Sequence, residues 1–137
     1  MSVKITSDFI LNLMNQAATG NPVPLMEALD PEVRWRIGSD TKNEVAKTGV
    51  YNRAGWMEQV FGPLQSKLKE GLGLIPLEIE VVGNKAYVEF RGEATQLNGK
   101  PYNNHYLWVM IFDDQGHAQE IREYLDTRLV QEVFSNN

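Results

Sequence analysis

Cysteine is absent from the 137 residues. That removes disulfides, thiolate metal centres and a thiol nucleophile together. Histidine is scarce, with only His105 and His117, too few to build a convincing imidazole metal site. No apolar run approaches the roughly 18 residues of a membrane-spanning helix. The opening MSVKITSDFILNLMNQ lacks the basic start and long apolar core of a secretory signal. A soluble, cytoplasmic protein is expected, with no membrane partner. A surplus of positive charge is missing too: Lys and Arg number 13 against 18 Asp and Glu, a net charge of −5. Nucleic acid, which selects a clustered basic face, is therefore not an expected partner. Phosphate-binding loops, the dinucleotide glycine fingerprint, the serine nucleophile elbow and the HExxH zinc motif do not occur. No cofactor and no metal are expected.

What is present suits one α+β domain over 1–137, large enough to bury a core. Thr6 or Ser7 caps a first helix whose stripe runs Ile5, Phe9, Leu13 and Ala17. Gly20 and Pro22 end it, and a short helix over 24–29 follows. EVRWRIG (32–38) alternates as a half-buried strand, with Val33, Trp35 and Ile37 on one side. The polar stretch 39–49 reads as a loop, either a lid or a solvated connection. A third helix over 53–72 carries Trp56, Val60, Leu64 and Leu68 on one face, with a bend at Gly62-Pro63. Residues 74–82 form a strand whose Pro76 marks an edge or a bulge.

Residues 85–127 read as strands joined by two turns. Asn98-Gly99 suits a two-residue hairpin turn, and Asp113-Asp114-Gln115-Gly116 a type I turn closed by a left-handed glycine. Counting from these turns gives three cross-strand rows on one face: Glu93–Asn104–Asp126, Arg91–Tyr106–Tyr124 and Glu89–Trp108–Arg122. The other face collects Val88, Phe90, Leu107, Val109, Ile111, Ile121 and Leu125, with His105 among them. A second copy of the chain is expected on that apolar face, making a homodimer. On the polar face, Glu93 and Asp126 flank the central strand with Arg91 beside them. Two carboxylates whose pKa values are driven apart could work as general acid and base. A structural salt-bridge network accounts for the same residues. The aromatics Trp35, Trp56, Tyr106, Trp108 and Tyr124, with Asn104, are expected to line a pocket for a small, largely apolar molecule.

The order of helices and strands, and the segments KPYNN (100–104), Trp108-Val109, Gly116 and EYLDT (123–127), resemble the nuclear-transport-factor-2-like fold. The likeness spans nearly the whole chain. It is closest to the SnoaL-like and ketosteroid-isomerase-like branch. The resemblance implies a cone-shaped, curved mixed sheet around a helix-covered pocket, usually in a dimer. Arg91-Gly92-Glu93 and Asp126 resemble the limonene-epoxide-hydrolase pattern. This implies that Asp126 activates water, Glu93 protonates the opening epoxide and Arg91 holds both carboxylates. Where that pattern positions water with tyrosine and asparagine, this chain has Trp35 and Ile37. The catalytic aspartates of ketosteroid isomerase align near Trp35 and Trp108, which cannot move protons in that way. A polyketide-cyclase-like reaction, needing one acid–base carboxylate, is also compatible. So is a binding or dimerisation module without catalysis.

Overall fold

The computed structural model describes residues 2–137. The first helix, α1 (Ser7–Ala18), starts where the Thr6 hydroxyl accepts the Phe9 N–H at 3.1 Å, satisfying one of the free donors of the first turn. It buries Ile10, Leu13 and Met14 and lies across β3 (Gly73–Val82). α2 (Val23–Glu27) leads directly into β1 (Leu29–Ile37), where Val33, Trp35 and Ile37 are buried as the alternation demands. The polar stretch after β1 is a loop that leads into a short strand, β2 (Gly49–Tyr51), antiparallel to β1.

The bend expected at Gly62-Pro63 appears as a change of helical pitch. α3 (Arg53–Trp56) opens under an Asn52 cap and passes through a π-helical turn over 57–61 into α4 (Gly62–Ser66). Proline supplies no N–H and crowds the turn before it. The chain widens there, so that the Gly62 N–H reaches back to the Met57 carbonyl, a five-residue step. A Cβ at Gly62 would sit 2.9 Å from that carbonyl oxygen. The helix ends at Ser66, short of the expected 72.

β4 (Lys85–Glu93), β5 (His105–Phe112) and β6 (Ala118–Leu125) complete a six-stranded sheet in the order β2-β1-β6-β5-β4-β3. β1 and β6 run parallel, and every other pair is antiparallel. Pro76 lies on the edge strand β3, next to a register shift between Pro76 and Glu78. A last helix not expected from the sequence, α5 (Thr127–Asn136), buries Val130 and Val133 with Leu64, Leu68 and Tyr102. The fold is a mixed sheet with a few helices, an α+β architecture. Among the described residues no helix is long and apolar enough to cross a membrane.

Both hairpins differ from the expected register by one residue, for different reasons. At Asn98-Gly99 the Gln96 N–H donates to the Lys100 carbonyl and Thr95 pairs with Pro101. The loop therefore holds three residues, with Gly99 left-handed at φ 90°. The extra residue places Arg91 opposite His105 and Phe90 opposite Tyr106. The Gly116 turn forms as expected, with Phe112 opposite Ala118, but a bulge beyond it shifts the ladder. Tyr106 then faces Leu125, and Trp108 faces Glu123. Because side chains alternate between faces, one residue of slip exchanges the inside for the outside.

The three polar rows therefore do not form. The apolar face expected to meet a second subunit is divided as well. Val88 and Phe90 point into the core, whereas Leu107 and Ile111 lie on the outer face beside Tyr87, Glu89 and Arg122. His105 is exposed on that outer face rather than held in an apolar row.

Candidate active site

The inward face of the sheet is dominated by aromatic rings. Trp35 stacks on Trp56 with centroids 4.1 Å apart and meets Trp108 edge-on at 5.0 Å. Phe90 stacks on Tyr106 at 4.8 Å and also meets Trp108 edge-on. Rigid rings packed in this way support one another and leave a fixed space beside them. Between this wall, the α3–α4 helix, the end of α1 and α5 lies a cavity of about 330 Å³, within the range that holds small ligands. Its lining is chiefly apolar and includes Trp56, Phe61, Phe90, Tyr106, Trp108 and Glu123.

Glu123 is the one carboxylate buried in this wall, with 5% of its surface exposed. Both Trp35 Nε1–H and Trp108 Nε1–H donate to its Oε1, at 3.0 and 3.1 Å. Oε2 accepts no hydrogen bond from the described residues. Burial raises its pKa from the ordinary carboxylate range to about 7, against the lowering effect of the two indoles. Removing a carboxylate from water disfavours the charged form more than two neutral donors can restore it. Near neutral pH both protonation states are populated, as a group that accepts and returns a proton requires.

Two phenols stand in the same wall. Tyr102 Oη and Tyr106 Oη are 2.9 Å apart, and Asn104 Nδ2 donates to Tyr102 Oη at 3.1 Å. Asn104, fully buried, also clamps the peptide at Asp126: it accepts the Asp126 N–H and donates to the Asp126 carbonyl, both at 3.0 Å. Burial raises the pKa of both tyrosines, so the phenols stay neutral.

The residues expected to act are dispersed. Arg91 and Glu93 face outward from β4 and pair with each other at the surface. The Asp126 side chain accepts the Arg128 N–H at 3.0 Å as the cap of α5, and 44% of it is exposed. None of the three lines the cavity, and Asp126 does not join the Arg91–Glu93 pair. Among the expected pocket residues, Trp56, Tyr106 and Trp108 line it. Trp35 supports it from behind through Trp56 and Glu123. Asn104 is placed one step back, holding Tyr102. Tyr124 lies on the outer face, where its hydroxyl accepts from Arg36 Nη2 at 2.7 Å. Among the described residues no group of three or more histidine, aspartate or glutamate side chains is placed to share a metal ion.

Glu123 was legible in one respect. Ile121 and Leu125 belong to a single apolar row, and period-two alternation puts Glu123 between them. A lone carboxylate in an apolar row is a stronger sign of a site than a set of exposed charges.

No family model and no curated protein sequence matches the chain. Solved structures do. A protein of unknown function from Burkholderia pseudomallei, described as NTF2-like (nuclear-transport-factor-2-like), superposes with a TM-score of 0.76 at 16% identity, over 93% of this chain and 95% of its own. IdmH from Streptomyces antibioticus, a candidate polyketide cyclase, gives 0.71 at 18%, over 94% and 97%. TerC, co-crystallised with polyporic acid, gives 0.74 at 20%, over 94% and 97%. This chain has the nuclear-transport-factor-2-like fold.

Proposed function

We propose that the protein binds a small, largely apolar molecule in the cavity and moves a proton on it through Glu123. The reaction class is acid–base isomerisation or cyclisation, and the name of IdmH, a candidate polyketide cyclase with the same fold, supports the second. The observation that carries this reading is a single buried carboxylate with a pKa of about 7 and an oxygen left without a protein partner, in an otherwise apolar pocket. Ionised Glu123 takes a proton from an acidic C–H or O–H of the ligand. The indoles of Trp35 and Trp108 hold the carboxylate in one orientation in both charge states. Protonated Glu123 then returns the proton to a different atom of the same molecule, so only a proton and the ligand's own electron pairs move. The apolar rings exclude water that would compete for it.

Enolisation of α-tetralone, a compact bicyclic ketone, tests this reading. Exchange of the hydrogens next to the carbonyl in deuterium oxide, followed by proton NMR, should be accelerated by the wild-type protein and lost in Glu123→Gln. Glu93→Gln and Asp126→Asn should exchange at the wild-type rate. Binding without accelerated exchange would favour a non-catalytic binding module, and loss of exchange in Asp126→Asn would return the role to Asp126.

A further inference from the structure

The hydrogens around Tyr102 can be placed one by one. The Asp126 N–H needs an acceptor and the Asp126 carbonyl a donor, which sets the Asn104 amide with Oδ1 toward the N–H and Nδ2 toward the carbonyl. The second Nδ2 hydrogen then goes to Tyr102 Oη. Tyr102 is fully buried, and its hydroxyl has no partner among the described residues other than Asn104 and Tyr106. Were Tyr106 to donate to Tyr102, the hydrogen of the fully buried Tyr102 would have no acceptor, and a buried donor left without a partner is destabilising. Tyr102 therefore donates to Tyr106. The Tyr106 hydrogen is then the last in the chain, and no described residue accepts it. Both phenols border the cavity, but Tyr102 has no exposed surface whereas Tyr106 keeps 6% of its own.

From this geometry we infer that Asp126, Asn104 and Tyr102 form a directed hydrogen-bond relay that makes Tyr106 the donor to a carbonyl or enolate oxygen of the ligand. The site thus selects a molecule with an acceptor oxygen on an apolar body, and an enolisable ketone is the simplest such class. Tyr106 meets the ligand, whereas Tyr102 and Asn104 act through it as positioning residues. Each donor that is already committed polarises the next hydroxyl, which strengthens the last bond of the chain. The inference rests on the acid–base reading above, because a donor at the oxygen matters most when negative charge develops there.

Isotope-edited infrared spectroscopy of carbonyl-labelled α-tetralone tests it. With the wild-type protein, the bound carbonyl stretch should fall below its value in hexane. In Tyr106→Phe, whose ring can keep its stack on Phe90, the ketone should bind roughly ten-fold more weakly and the stretch should return to the hexane value. Tyr102→Phe keeps the Tyr106 hydroxyl but frees it to turn, so the shift should shrink and broaden. Glu123→Gln should leave the shift in place. An unshifted carbonyl in the wild type, a shift that survives Tyr106→Phe, or failure of α-tetralone to bind would overturn the assignment of Tyr106. A shift unchanged in Tyr102→Phe would overturn the relay. Exchange without a shift defeats this inference alone, and a shift without exchange defeats only the acid–base reading.

Discussion

The indole N–H of Trp35 on β1 meets Oε1 of Glu123 on β6 at 3.0 Å, across the parallel strand pair of the sheet. Trp108 donates to the same oxygen from β5, the neighbour on the other side. Two indoles thus report on one carboxylate. Tryptophan emission should change with pH around a midpoint near 7 in the wild type. The transition should vanish in Glu123→Gln. Fluorescence titration is the check, and an unchanged transition in the variant would assign it to another group.

The same carboxylate makes stability depend on pH in a set direction. Its folded-state pKa lies above the unfolded value of 4.5, so the folded protein holds the proton more tightly. Its contribution is complete below pH 4.5 and is lost as pH rises through about 7. A shift of this size corresponds to about 3 kcal/mol. Relative to wild type, Glu123→Gln should therefore gain stability by an amount of that order between pH 4.5 and 8, as read by urea unfolding at a series of pH values.

Asn104 holds both polar groups of the Asp126 peptide as well as the Tyr102 hydroxyl. Asn104→Ala leaves these groups short of partners inside the protein. Destabilisation of about 2–4 kcal/mol is expected, seen as a lower urea midpoint at an unchanged slope.

The Asp126 side chain caps α5, and Glu93 pairs with Arg91 at the surface. Asp126→Ala should cost about 1 kcal/mol, the usual value of a cap. Glu93→Ala should cost less than about 1 kcal/mol, as exposed pairs do. Neither change should alter exchange of the ketone hydrogens, measured side by side with Glu123→Gln.

Gly92 packs closely against Leu72 and Tyr106, two residues of the cavity wall. A Cβ there would lie 2.9 Å from Leu72 Cδ1 and 3.2 Å from Tyr106 Cε2. Gly92→Ala should push Tyr106 toward the cavity and weaken α-tetralone binding in a titration, with a stability loss of about 1–3 kcal/mol.

Local chemistry in the sequence carried much of the fold. The Thr6 cap, the strict alternation of EVRWRIG, the proline on an edge strand and the left-handed Gly116 all act over a few residues, and each appears where its residues require it. The same likeness of element order pointed to the right architecture. α5 is not read from the sequence because the strand reading of 85–127 takes in Asp126 and Thr127 and gives no element to the amphipathic run after them, although an aspartate before such a run is also a cap signal.

The site depended on register, and register is not local here. HYLWVMIF is apolar on both faces, so its composition cannot say which side is inside. Only the turns could decide, and one extra residue in the Asn98-Gly99 loop and one bulge after Gly116 reversed the faces. Arg91 and Glu93 went out to solvent, and Glu123 came in beneath two tryptophans. The sequence alone determined that the chain would form this mixed sheet with an aromatic interior. Which carboxylate met that interior was decided only by tertiary pairing, because side chains alternate with a period of two and a single residue of slip changes the face of every one.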